Sequence, residues 1–259
     1  MSRRGRLLRA ALALALVVAA ADGFLLWART LATPVGAERA AAGYLAGPAA
    51  GEPPGRRPPA GVYRYRTSGY ERVDRLGVER AYPAETVRVI GWRGGCRWRE
   101  TVPIFTQHVE TYDFCAAGAD AEDFASSTSL TYFLVPGVQR FACAPTGRRL
   151  LAGRPPGASR TWRCVDGASA SANTTRYLGP ETVQTGAGPV ATRHLRLVSA
   201  LSGRSSGAAV RDLWLDPDGL VVKEERQVEL RVHSPFVGLL TYRERAGFLL
   251  TGRSRPAFR

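Results

Sequence analysis

The sequence predicts a mainly β protein, a curved antiparallel meander sheet or open barrel preceded by one N-terminal transmembrane helix. After residue 60, runs such as residues 62–73 and 85–92 alternate apolar and polar side chains with period two. Clusters of Gly, Pro, Asn, Asp and Ser separate these runs at short intervals, as in a meander. The alternation indicates that each strand turns one face to a core and the other to water. A short helix or turn near residues 119–127 is the other element expected in this part.

The N-terminal segment predicts export. Four arginines (Arg3, Arg4, Arg6 and Arg9) precede residues 10–28, which are apolar apart from Asp22. A helix of roughly 19 residues spans about 28 Å, close to the thickness of a bilayer core. The preceding positive charge places the N-terminus inside and the rest outside, as a single pass in a bacterial cytoplasmic membrane. The alternative is a signal peptide cleaved after Ala21, which would give a secreted domain.

The chain divides into three segments. Residues 1–30 form the membrane anchor or signal segment, and residues 31–60 are a linker rich in Pro, Gly and Ala, with a short helix expected over 35–45. Residues 61–259 form the extracytoplasmic β domain. A Gly-x-Glu-x-Val element at Gly69 recurs at Gly179, and a Leu-Thr-Tyr element recurs at the same offset of 110 residues. The domain is therefore either two related halves, 61–145 and 172–255, or a single unit with chance matches.

The charge of the chain is strongly positive, with a formal net charge of +14 and a pI near 10.6. Almost all of it is arginine, because Lys223 is the single lysine. No basic helix, zinc-finger spacing or RNA-binding motif accompanies the charge, so we expect no nucleic-acid partner. The expected partners are the membrane, through the N-terminal helix, and a lipid or an anionic envelope polymer.

The cysteines predict two disulfides. The chain has four, Cys96, Cys115, Cys143 and Cys164, and no two of them form a C-x-x-C motif. An even number of cysteines in an exported domain is typical of disulfide bonding. Three pairings are possible, and we favour Cys96 with Cys115 and Cys143 with Cys164 because each closes a short loop.

No local constellation predicts catalysis, so we expect a non-enzymatic protein without catalytic residues, metal or cofactor. The G-x-S-x-G match at residues 203–207 lies between two predicted strands, whereas a nucleophile elbow needs a helix after the serine. The three histidines, His108, His194 and His233, lack zinc-ligand spacing. We expect His108 and His194 on the sheet surface.

The most acidic stretch covers residues 212–232. Asp216-Pro217-Asp218-Gly219 follows the residue preferences of a type I turn, which explains its acids without a metal. In the strand that follows, Glu224 and Arg226 fall on the same face as apolar residues such as Leu230. The favoured interpretation is a β-bulge near residues 223–225 that turns both outward. The alternative is that both point inward, where charges must be paired or hydrated.

The residues of this region resemble a known family. The runs ETV, GPVATRHLRL and RDLWLDPDGLVVKEE, within residues 175–250, are similar to lipoprotein-carrier-like envelope half-barrel proteins. The resemblance implies an apolar concave face that holds acyl chains. The resemblance implies that Leu213, Trp214, Leu215, Val222 and Leu230 face a ligand. Strand alternation adds Glu224 and Arg226 as candidate ligand-facing residues if they point inward. The expected function is binding of a lipid-like or apolar envelope ligand; the alternative is a protein–protein interaction or scaffold module without a cavity.

Overall fold

The computed structural model describes residues 3–30, 32–45, 57–74, 78–117, 120–132, 135–148, 153–234 and 238–254. Two helices come first, α1 (Arg3–Thr30) and α2 (Ala37–Leu45). The strands that follow are β1 (Gly61–Val73), β2 (Val78–Ala81), β3 (Glu85–Trp92), β4 (Arg97–Phe105), β5 (His108–Ala117), β6 (Asp120–Tyr132), β7 (Val135–Arg148), β8 (Ser159–Asp166), β9 (Ser169–Thr185), β10 (Gly188–Ser202), β11 (Ser205–Leu215), β12 (Val221–Ser234) and β13 (Gly238–Ser254).

The sheet is an antiparallel barrel that closes on itself. From β3 to β13 each strand pairs with the next, and β13 pairs with β1 along its length, from Val62 opposite Ser254 to Val73 opposite Tyr242. The first half of β1 pairs with β3 and its last four residues with β2, so β2 and β3 share one position in the wall. The thirteen described strands therefore fill twelve positions around the barrel wall. The predicted mainly β, antiparallel fold is confirmed. The sheet forms a closed barrel, whereas the sequence predicted a curved sheet or an open barrel.

The residues before the barrel match the prediction in part. Helix α2 lies within the expected range of 35–45. Pro34 bridges to Phe105, and the indole of Trp92 donates a hydrogen bond to the carbonyl of Pro58 at 3.3 Å. Both described ends of the linker thus touch the barrel, whereas residues 46–56 lie outside the described residues.

The N-terminal helix does not support the membrane prediction. Helix α1 is 28 residues long, and its described side chains from Ala11 to Phe24 are exposed. Within the described part of the chain, no helix combines the length and apolar character needed to cross a bilayer. The predicted transmembrane helix and its single-pass localisation are therefore without support.

The helix or turn expected near residues 119–127 is wrong. From Asp120 onward this stretch belongs to β6, which pairs with β5 on one side and β7 on the other. The run of Ala, Ser and Asp has weak intrinsic strand preference, and pairing with two neighbours decides its conformation.

The two predicted halves contribute to one continuous sheet. The Gly-x-Glu-x-Val elements lie on β1 and β9, and the Leu-Thr-Tyr elements lie on β6 and β13. Because neighbours alternate in direction around the barrel, β1 runs opposite to β9 and β6 opposite to β13. A rotation about the barrel axis therefore cannot superimpose the halves, and the repeat stays a prediction.

One end of the barrel interior is a hydrophobic core. Ile90, Trp98, Leu195 and Leu215 are almost completely buried there, together with residues of the turn after β11. That turn is the predicted one: the carboxylate of Asp216 accepts hydrogen bonds from the amides of Asp218 and Leu220 at 3.0 and 2.9 Å. The turn chemistry thus fixes the register of β11 with β12 beside this core.

Two glycines allow close approach of neighbouring strands. Gly69 has φ +122°, and a Cβ atom there would lie 2.0 Å from the carbonyl oxygen of Arg245. Gly207 has φ +140°, and its Cβ would lie 2.2 Å from the carbonyl oxygen of Glu229. Such glycine kinks let a barrel wall bend sharply.

Replacing Gly69 by Ala is expected to lower the free energy of unfolding by about 2–4 kcal/mol, because the positive φ and the backbone clash add together. Chemical denaturation measures the loss. Gly252 on β13, where a Cβ would meet nothing within 4 Å, is the control. An equal loss for Gly252→Ala would contradict this role for Gly69.

Candidate functional site: the charged interior of the barrel

Next to the hydrophobic core, the middle of the barrel interior holds ten ionisable side chains, which we call the interior charge cluster. Nine of them are less than a tenth exposed, and Arg211 has a side chain 14% exposed. They come from eight strands on different sides of the barrel. The members are Glu71, Arg80, Arg88, Glu100, His108, Glu110, Arg211, Glu224, Arg226 and Glu244.

Strand alternation aims Glu224 and Arg226 inward. Both lie on the interior face of β12, with exposed fractions of 0% and 4%. The register of β12 with β13 is unbroken from Lys223 onward, and the irregularity of β12 lies earlier, opposite Trp214 and Leu215. This irregularity lies beside the predicted position but comes before Lys223, so it does not turn Glu224 and Arg226 outward. The predicted outward orientation of both residues is therefore wrong. The alternative, an inward and paired Glu224 and Arg226, is what the structure shows.

Arg226 joins opposite walls of the barrel. Its Nη1 donates to both carboxylate oxygens of Glu110 on β5, at 2.8 and 2.7 Å. Its Nε lies 2.5 Å from Oε1 of Glu244 on the neighbouring strand β13. Because β5 lies across the interior from β12, the contact between Arg226 and Glu110 links opposite walls of the barrel.

Glu224 anchors a second set of contacts. It accepts hydrogen bonds from Nε of Arg211 at 2.8 Å and from Nη2 of Arg88 at 2.6 Å. Arg88 also donates to Glu100 on β4. The guanidinium of Arg211 lies 4.8 Å from the ring centre of Tyr112 on β5, again across the interior.

His108 and Glu71 form the third set. Nδ1 of His108 lies 2.8 Å from Oε2 of Glu71, and Nε2 lies 3.4 Å from Oε1 of Glu110. Oε1 of Glu71 lies 2.6 Å from Nη2 of Arg80. The Tyr242 hydroxyl lies 3.1 Å from Oε2 of Glu71 and 3.0 Å from Oε2 of Glu244, linking this set to the Arg226 contacts.

The environment favours the charged forms of His108, Glu71, Glu110 and Glu224. Burial alone would lower the pKa of His108, but hydrogen bonds to Glu110 and Glu71 raise it to about 10. Burial alone would raise the pKa of Glu71, Glu110 and Glu224, yet the neighbouring cations hold each pKa below its ordinary value. With His108 protonated, five carboxylates face five cations. The cluster is therefore neutral as a whole, which is the condition for burying charge at tolerable cost.

These contacts suit structural cross-linking better than acid–base chemistry. The carboxylates with lowered pKa are held by cations and are weak bases for that reason. Within the part of the chain that the structure describes, no group of three or more His, Cys, Asp or Glu side chains is placed to hold a metal ion. Ser205 of the G-x-S-x-G match accepts a hydrogen bond from Nε2 of Gln139 at 2.9 Å and lies on a strand.

The pKa of His108 predicts that stability falls at alkaline pH. The folded-state pKa of about 10 lies above the ordinary value of 6.5, so the contribution is complete below about pH 6.5 and is lost as pH rises through 10. The carboxylates with lowered pKa contribute above pH 4.5 and lose their contribution as the solution is acidified. We therefore expect the highest free energy of unfolding between pH 4.5 and 6.5.

Denaturant unfolding across this pH range measures the effect, with His108→Gln as the comparison. The variant is expected to be less stable below pH 6.5 and to lose most of the decline toward pH 10. An unchanged decline in the variant would assign it to other groups.

The structure separates the residues predicted to face a ligand. Leu213, Leu215 and Val222 are buried in the hydrophobic core, and Leu230 is half-buried further along β12. Trp214 lies on the opposite face of β11, stacked on the His194 ring at 4.1 Å, with its indole donating to Glu181 at 2.6 Å. The seven residues therefore do not line one surface.

Sequence reasoning missed most of the cluster. Glu71, Glu110 and Glu244 carry the signal that singled out Glu224, a charge on the apolar face of an alternating strand. His108, expected on the sheet surface, is 1% exposed, because β5 turns it to the interior beside Glu71. His194 does lie on the outer face, as predicted, although it is partly covered by Trp214.

Both predicted disulfides are present. Cys96 is bonded to Cys115, linking the turn before β4 to β5. Cys143 is bonded to Cys164, linking β7 to β8.

Comparison with known proteins adds little to this geometry. No family model matches the chain, and no curated protein matches it. A solved structure from Parabacteroides distasonis, described as a “putative lipoprotein”, aligns over 77% of this chain and 97% of its own, with 9% identity and a TM-score of 0.34. A likeness this slight bears on neither fold nor function.

Proposed function

We propose that the chain is an exported, non-enzymatic β-barrel that serves as an interaction or scaffold module of the cell envelope. The interior charge cluster is the observation that carries the proposal. It occupies the middle of the barrel and ties β12 to β5 and to β3. A barrel held in this way offers its outer surface, and not its interior, to a partner.

The cluster argues against an acyl chain in the middle of the barrel. An apolar ligand there would separate ions that are buried and paired, and each unpaired ion would cost several kcal/mol. The side chains implied by the resemblance supply no substitute, since Leu213, Leu215 and Val222 are already covered by other core residues. The scaffold alternative is therefore favoured over binding of a lipid-like ligand.

Export is supported by the two disulfides, which persist in oxidising compartments. The N-terminal arginines followed by an apolar run are consistent with it. Alkylation of the protein in intact cells of its own host tests this point. All four cysteines should resist alkylation until a reductant is added, and free thiols in the untreated protein would count against export.

Native mass spectrometry of the barrel purified gently from its own host tests the choice between scaffold and carrier. The proposal predicts the bare mass of the oxidised chain. A lipid retained in stoichiometric amount would overturn the proposal and establish the carrier alternative.

A further inference from the structure

The outer face of four consecutive strands repeats one motif. On each of β7 to β10, an exposed arginine and an exposed aliphatic residue stand two positions apart, so both point outward. The aliphatic side chains are 37–47% exposed. The pairs are Val138 with Arg140, Arg163 with Val165, Arg176 with Leu178, and Arg196 with Val198. We call this surface the arginine–aliphatic face.

Small residues lie beside members of these pairs on the neighbouring strands. Across β8, β9 and β10, Thr161 lies opposite Thr174, which lies opposite Val198. In the next outward row Arg163 lies opposite Ala172, which lies opposite Ala200.

The face is poor in negative charge. Strands β7 and β10 contain no Asp or Glu, and β8 and β9 contain one each, both engaged. Asp166 accepts a hydrogen bond from the amide of Arg140, and Glu181 accepts one from Trp214.

Arg176 lies directly opposite Arg196. Arg196 is paired with Asp212 of β11, since its Nε and Nη2 donate to the two carboxylate oxygens at 2.9 and 3.0 Å. The exposed guanidinium groups of Arg140, Arg163 and Arg176 are available to an anionic partner.

We propose that the arginine–aliphatic face docks on the surface of an anionic lipid bilayer. Guanidinium groups pair with lipid phosphates, and the aliphatic side chains enter the boundary between headgroups and acyl chains. An anionic polymer in water would engage the arginines but would gain little from four exposed aliphatic side chains. This inference rests on the proposed function and names the partner of its outer surface.

Vesicle flotation of the full chain tests the proposal. Phosphatidylcholine vesicles measure the background contribution of the rest of the chain, including α1, and vesicles with added phosphatidylglycerol measure the anionic preference. The double variant Arg163→Glu with Arg176→Glu is expected to bind the anionic vesicles at least roughly tenfold less well. The matched control is Arg66→Glu with Arg245→Glu, which makes the same change of charge at exposed positions on β1 and β13. It should change binding less than about twofold, since it leaves the face intact.

A second variant separates a bilayer from a polymer. Val165→Ser with Val198→Ser should weaken binding to anionic vesicles and leave binding to soluble polyphosphate unchanged. Equal losses in the two charge variants would show that net charge alone matters and would overturn the proposal. Vesicle binding unaffected by the serine variant, with tight binding of polyphosphate, would assign the face to a polymer instead. A failure here leaves the scaffold proposal standing, because native mass spectrometry tests the interior and not this face.

Discussion

Replacing Arg226 by Met is expected to lower the free energy of unfolding by about 3–5 kcal/mol, because removing one partner leaves buried charges uncompensated. Arg226 contacts Glu110 and Glu244, which are 6% and 4% exposed. Methionine keeps much of the aliphatic volume, so the loss reports the charge more than the packing. Urea or guanidinium denaturation at neutral pH is the measurement.

Gln227 is the matched control, since it is the next residue on β12 and is exposed on the outer face. Gln227→Ala should change stability by no more than about 0.5 kcal/mol. Adding Glu110→Gln to Arg226→Met should recover part of the loss, because the two residues are coupled directly. If the free energy of unfolding of Arg226→Met equalled that of the control, the interior charge cluster could not be what links opposite walls of the barrel.

Replacing Cys143 and Cys164 together by Ser is expected to lower the free energy of unfolding by about 2–4 kcal/mol and to loosen one seam of the barrel. Among the residues that the structure describes, β7 and β8 are paired at two positions, Ala142 opposite Val165 and Cys143 opposite Cys164. The disulfide therefore supplies much of what holds this seam. Hydrogen exchange should accelerate at the amides of β8.

The other disulfide provides the control. Cys96 and Cys115 lie where β4 and β5 are paired from Arg97 to Phe105, so this seam has its own ladder of hydrogen bonds. Replacing both cysteines by Ser should destabilise the protein without a selective acceleration of amide hydrogen exchange in β8. Faster exchange spread evenly over all strands in the Cys143 and Cys164 variant would contradict a local seam.

The sequence predicted what depends on neighbours along the chain. Period-two alternation identified most strands, the Asp216 turn followed from residue preferences, and the disulfide pairing followed from short loops. Closure was out of reach, because alternation indicates which face of a strand is buried and not which strand lies beside it. The pairing of β1 with β13 joins residues almost as far apart as the domain allows.

The interior charge cluster shows the same limit. Period-two alternation along β12 placed Glu224 and Arg226 on the apolar face. A bulge that turns them outward was nevertheless favoured, because the sequence did not reveal which charged residues could pair with them. Their partners Arg88 and Glu110 lie on β3 and β5, more than 100 residues away. Conversely, the resemblance implied that Trp214 faces a ligand together with Leu213 and Leu215. Alternation along β11 places Trp214 on the other face of the sheet from these two residues.

The ring nitrogens of His108 report on whether the barrel interior is closed and its charges are paired. Nitrogen-15 NMR at pH 8 should show both nitrogens protonated and exchanging slowly with water, because the pKa is raised to about 10 by Glu110 and Glu71. A His108 that titrates near 6.5 and exchanges rapidly would show an open, hydrated interior and would rule out a closed interior charge cluster.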